Sequence, residues 1–156
     1  MRLLTLGLIL AASAAQAGTF TPPQGCTAHL TVQMRGCLVS HFFTCEGDAK
    51  GDQWRADYGA EGPFYLSRIN RQTEWVESYE LNPPMKETLD DNPKDRANFD
   101  ELLATGLDTF DFGLTKADGT KTHVTGFDKL TGEQVVIDGV TLKKSEYEYT
   151  QTAEDG

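Results

Sequence analysis

Positive charge is scarce in this chain of 156 residues: 14 Lys and Arg stand against 24 Asp and Glu, a net charge of −10. A surface of that sign repels phosphate backbones, which argues against nucleic acid as a partner. Histidine is scarcer still, at three residues, and no G-x-S-x-G, H-E-x-x-H, P-loop or dinucleotide fingerprint occurs. No cofactor and no catalytic residue is therefore assigned. After residue 17 no apolar run approaches the roughly 20 residues of a membrane-spanning helix, so no transmembrane anchor is expected in the mature chain.

The first 17 residues are different. In "MRLLTLGLILAASAAQA", Arg2 precedes an apolar run from Leu3 to Ala12, and Ala15-Gln16-Ala17 forms an A-x-A cleavage site. This pattern reads as a secretory signal peptide cut after Ala17, with a periplasmic or secreted product. Gly18 rather than Cys follows the cut, which argues against a lipoprotein anchor. Losing Arg2 leaves 13 basic against 24 acidic residues, a net charge of −11. Residues 18–156 are enough for one domain with its own core.

Cysteine is also rare, and its three copies cluster at Cys26, Cys37 and Cys45. An exported chain is expected to oxidise them. A two-residue turn at Arg35-Gly36 sets Cys26 opposite Cys45, Leu30 opposite His41 and Val32 opposite Val39. A Cys26–Cys45 disulfide then ties the open end of a hairpin and contributes roughly 3 kcal/mol by closing a loop of about 20 residues. Cys37 is left unpaired on the same face. The spacing C-x2-H-x7-C-x3-H-x3-C raises a zinc site, but His29 points away from the cysteine face in this register. No metal is assigned, and His41 is expected to be packed.

The remaining pattern is mainly β. A short strand is expected around Trp54–Tyr58, and a second hairpin joins Phe64–Ile69 to Glu74–Leu81 with Arg68 near Trp75 or Glu77. Pro83, Pro84 and Pro93 argue against any strand in "NPPMKETLDDNPKD". "DRANFDELLATG" predicts the one helix, near 95–105, capped by Asp95 and ended by Gly106. Asp118-Gly119 and Asp138-Gly139 are hairpin turn dipeptides. The first sets Phe110 opposite Phe127 and Leu114 opposite His123, and the second sets Val135 opposite Leu142 and Glu133 opposite Lys144. "KLTGE" is expected to turn the chain between them. A bulge within Lys143–Glu146 is needed to bring Val140, Leu142, Tyr147 and Tyr149 onto one face. The sum is an antiparallel meander of seven or eight strands, forming a curved sheet or partly open small barrel.

Asp155-Gly156 is a third turn dipeptide with no return strand, so a C-terminal truncation is expected. The run Val140–Thr152 should then pair on one side only. Its free edge would take residues past Gly156, the segment Thr19–Thr21, or a second chain.

The stretches "GDQWRADYGAEGPFYLSRINRQTEWVESYEL" and "GFDKLTGEQVVIDGVTL" resemble an uncharacterised exported protein family of Rhodobacter-type alphaproteobacteria. The resemblance covers most of the mature chain. It implies export and further β-structure past residue 156, and it brings no activity and no site residues. The function expected from the residues is a non-catalytic exported β-module that binds an apolar or amphipathic envelope ligand. Trp54, Arg55, Arg68 and Trp75 are the lining candidates, as aromatic bodies beside cations. One alternative is a carboxylate-dependent hydrolase. Another is a structural or assembly subunit that uses an open sheet edge at 140–152.

Overall fold

The computed structural model describes residues 19–154. The signal-peptide reading of residues 1–17 and the turn at Asp155-Gly156 lie outside the described residues. The elements in order are β1 (Cys26–Met34), β2 (Leu38–Cys45), β3 (Gln53–Gly59), β4 (Gly62–Ile69), β5 (Trp75–Leu81), β6 (Pro84–Leu89), α1 (Phe99–Thr105), β7 (Leu107–Lys116), β8 (Lys121–Ile137) and β9 (Val140–Glu154). They form one antiparallel meander, each strand pairing with its neighbours in sequence. β1 and β9 are its two edges, so the sheet is not closed, and among the described residues β9 pairs with β8 alone.

Turn chemistry decides the registers. Asp138 and Gly139 both have positive φ, at 49° and 80°, and form the expected two-residue turn with Ile137 opposite Val140 and Val135 opposite Leu142. The other two turns are longer by one residue. Met34 pairs with Leu38, so Arg35, Gly36 and Cys37 make a three-residue loop, and Cys37 sits exposed at φ 61° rather than on the strand face. Thr115 pairs with Lys121, and Gly119 takes φ 89° within that loop. The expected register there is therefore corrected by one residue, to Phe110 opposite Gly126 and Thr109 opposite Phe127. A one-residue slip moves a side chain to the other face, so Phe110 and Phe127 lie on opposite sides.

The first hairpin absorbs its slip differently. Cys26 and Cys45 are paired and disulfide-bonded. A bulge between Ala28 and Leu30 then shifts the pairing to Leu30–Phe42, Thr31–His41 and Val32–Ser40 instead of the expected partners.

Three more expectations are corrected. "KLTGE" does not turn. Thr131, Gly132 and Glu133 bulge against Lys144 alone, and β8 continues to Ile137. The extra residues are thus on β8, and β9 keeps its alternation, with Tyr147 and Tyr149 on the face opposite to Val140 and Leu142. Pro84 opens a strand after all, because the first residue of a strand tolerates a missing N–H. The helix cap is Asn98, whose side chain accepts from Glu101 N, while Asp95 bridges to Asp111 of β7. Thr19–Thr21 does not reach β9, since Phe20 stacks on His41 at 4.2 Å and packs near Phe43 and Tyr58.

The sheet is strongly curled. In a flat sheet, β5 and β9 would be about 19 Å apart, at about 4.8 Å per strand. Yet Trp75 of β5 and Tyr149 of β9 meet edge to face with ring centroids 5.8 Å apart. Phe110, Phe112, Leu114 and Val124 are buried on that inner face, with Ala97 and Leu89 against them. Gly126 lets the Phe110 ring lie across β8. A Cβ there would come within 2.7 Å of Phe110 Cζ and would strike the Glu148 carbonyl. Gly126→Ala is expected to destabilise the fold by about 3 kcal/mol, the upper range for overpacking, measured by urea unfolding. A change below about 0.5 kcal/mol would show that Phe110 does not occupy this position.

Candidate functional site

The curl turns the inner face into a groove. A cavity of about 810 Å³ is lined by residues of β3 to β7 and of β9, among them Arg55, Tyr65, Ser67, Glu87, Lys116 and Gln151. Beside it lies a smaller recess of about 360 Å³, lined by Ala97, Phe99, Leu102, Phe110, Phe112 and Asp128. Arg55, Ile69, Trp75, Tyr147 and Tyr149 line both. The groove is thus mixed in character at one end and mainly apolar at the other, with an aromatic wall between.

Alternation of the pleat places these residues. Arg55, Tyr65, Ser67 and Ile69 share the inner face of β3 and β4 with Trp75 and Ser78 of β5. Tyr147, Tyr149 and Gln151 share the inner face of β9, paired with Asp128, Gly126 and Val124. The two tyrosine rings stack at 6.4 Å, and Trp75 also packs edge to face on Phe112 at 5.6 Å. The loop before α1 brings Ala97, and α1 brings Phe99 and Leu102, over the apolar end.

Arg55 stands at the junction. Its Nη2 lies 3.0 Å from Asp57, whose other oxygen accepts from the buried Ser40 hydroxyl at 2.6 Å. The guanidinium lies 5.3 Å from the centre of the Tyr65 ring. Its Nε is buried and has no hydrogen-bond partner. A buried donor without an acceptor costs about 1–3 kcal/mol.

At the other end, Asp108 and Asp128 face each other across β7 and β8. Burial pushes the Asp108 carboxyl above its ordinary range against the opposing hydrogen bond from Asn98 N–H, and burial alone does so for Asp128. No histidine lines the groove. His41 bonds Thr31 through Nδ1 on β2, and His123 Nε2 lies 2.6 Å from Asp111 on the outer face. Among the described residues no three of His, Cys, Asp and Glu converge as metal ligands.

The four lining candidates are split by the sheet. Arg55 and Trp75 line the groove together. Trp54 and Arg68 lie on the opposite face, where the Arg68 guanidinium is 5.6 Å from the Trp54 ring centre. There Arg68 donates to Asp52 at 2.6 Å and to Glu77 at 2.9 Å. Trp54 Nε1 donates to Asp48. These groups satisfy one another and leave little for a ligand. Tyr147, Tyr149 and Tyr65 are groove residues that pattern reasoning did not single out. The even spacing of the tyrosines on β9 was the available signal.

The chain matches no protein-family model, no curated protein and no solved structure.

The outer network carries a pH-dependence. Burial pushes the Glu77 carboxyl up, but hydrogen bonds from Lys86, Tyr79 and Arg68 outweigh it and hold the group at about 2, below its ordinary 4.5. A depressed acid stabilises the fold above its unfolded pKa and loses that contribution as pH falls through the folded one. Glu77 should therefore add about 3 kcal/mol at neutral pH, lost between pH 4.5 and about 2. In Glu77→Gln, urea unfolding should show lower stability at pH 7 and a flatter acid limb. An unchanged acid limb would contradict the assignment.

Proposed function

We propose that this protein is an exported, non-catalytic binding module that holds a single-chain amphipathic ligand in its inner groove. The observation that carries the reading is the continuity of the larger cavity with the apolar recess through Arg55, Trp75, Tyr147 and Tyr149. The apolar chain of the ligand lies over Phe110, Phe112 and Leu102. An oxygen of its head group accepts from the exposed end of the Arg55 guanidinium. A cavity of this size fits the usual range for small-molecule sites. Export is supported by the N-terminal pattern and by the Cys26–Cys45 disulfide, which belongs to an oxidising compartment.

The two tryptophans test this, because they report opposite faces. Titration with dodecanoate should change Trp fluorescence saturably in the native protein and in Trp54→Phe, but not in Trp75→Phe. Arg55→Ala should weaken binding about tenfold, a loss of about 1.4 kcal/mol. Equal loss in both tryptophan variants, or no saturation, would overturn the proposal.

One observation favours a second reading, carboxylate-dependent hydrolysis: the facing pair Asp108 and Asp128 at the apolar end, each held above the usual carboxylate range. Hydrolysis of a chromogenic long-chain ester that falls at least about a hundredfold in Asp128→Asn would support it. Rates equal to buffer alone for the native protein would remove it.

A further inference from the structure

We infer that β9 is the docking edge for a second copy of this chain, paired antiparallel about a two-fold axis at Ser145, and that the second copy completes the groove. This inference is independent of which ligand the groove takes.

The argument starts from the two edges of the sheet. β1 is nine residues long and is interrupted by the bulge between Ala28 and Leu30. A bulge blunts an edge against pairing. β9 is 15 residues long, contains no Gly or Pro, and has no extra residue of its own. Residues 140–153 are exposed throughout. Among the described residues nothing covers its outer side.

Backbone direction shows which groups are offered. Leu130 N–H donates to Gly106 O, away from β9. Leu130 and its partner Ser145 therefore form a non-hydrogen-bonded pair. The N–H and C=O of Ser145 consequently point outward, and by alternation so do those of Lys143, Tyr147, Tyr149 and Gln151.

Charge selects the partner and the register. Residues directly opposite in a sheet point to the same face, so a two-fold axis between identical strands must fall on a residue. Centring on Ser145 sets Lys144 opposite Glu146 of the second copy, twice, and Lys143 opposite Tyr147, twice. Centring on Lys144 sets Lys144 against itself, and centring on Glu146 sets Glu146 against itself. Centring on Tyr147 sets Glu146 against Glu148. Opposite charges across strands stabilise and like charges destabilise. Leu142, Val140 and Thr141 extend the ladder on each side. The edge is thus complementary to itself.

The pairing also changes the groove. Lys143 lies on the inner face, two and four residues from Ser145 and Tyr147. Across the axis it approaches the Tyr147 ring of the second copy, which is 70% exposed in the single chain. A cation over an aromatic face is favourable. Each copy thereby supplies one cation to the wall of the other's groove.

The test uses two variants in a Cys37→Ser background, which removes the exposed thiol as a separate route to dimers. At about 0.15 M salt, where the Debye length is about 8 Å, sedimentation equilibrium should show a concentration-dependent dimer of the parent protein. Lys144→Glu and Glu146→Lys should each weaken self-association at least about tenfold. An equimolar mixture of the two should restore the dimer, because every cross-axis pair then has opposite charges. Amide exchange in the parent should slow with concentration at Ser145, Tyr147 and Tyr149, whose N–H groups face outward. Circular dichroism of each variant shows whether its fold is kept. A parent that stays monomeric up to about 1 mM overturns the inference. So does a dimer indifferent to both substitutions, or a mixture that fails to recover. Slow exchange of the three amides at all concentrations in a monomer also overturns it, since the edge would then be covered within one chain.

Discussion

The curl of a single sheet is the constraint on which everything else here depends. A nine-strand meander with only one short helix has no second layer to bury against. It hides its main apolar cluster by bending one face inward, so that Trp75 reaches Tyr149 across four strand spacings, while Phe43 on the outer face is covered by Phe20 and Trp54. Phe110, Phe112, Leu114 and Val124 fill the deepest part of that bend. Gly126 is what lets the bend close so far, because it admits the Phe110 ring where any side chain would collide. The same curvature that makes the core leaves the groove beside it.

The two faces of the sheet divide the charged groups between a closed network and an open groove. On the outer face, Arg68, Asp52, Glu77, Lys86 and Tyr79 close a network in which each charge meets its partner. On the inner face Arg55 keeps one donor unmatched. Arg55 and Arg68, and likewise Trp54 and Trp75, thus have different surroundings because the pleat alternates. Composition alone cannot separate Trp54 from Trp75, or Arg55 from Arg68.

That alternation also explains what was legible before any coordinates. The all-antiparallel meander, the single helix and the Cys26–Cys45 bridge follow from period-two patterning, from turn dipeptides and from facing cysteines. Asp138-Gly139 was read correctly because a two-residue turn fixes its register. Arg35-Gly36 and Asp118-Gly119 sit inside three-residue loops, and the letters do not announce the extra residue. The groove was legible only in part. Arg55 and Trp75 were recognisable by residue type, but Tyr65, Tyr147 and Tyr149 come near them only through curvature, which no local pattern encodes. The bulge at Thr131–Glu133 was misread as a turn because Gly132 suits both.

The strand order carries one more consequence, for the way the molecule forms. Every strand pairs with the one made just before it. No pairing skips over another strand, which keeps loop-closure entropy lower than in a sheet with crossovers. A chain delivered N-terminus first would have its first hairpin, with both disulfide cysteines, before any later strand emerges. Assembly can then proceed as a zipper running from that covalently locked end, each new strand finding a ready template in the last, with the inner face closing only when the aromatic strands at the far end arrive.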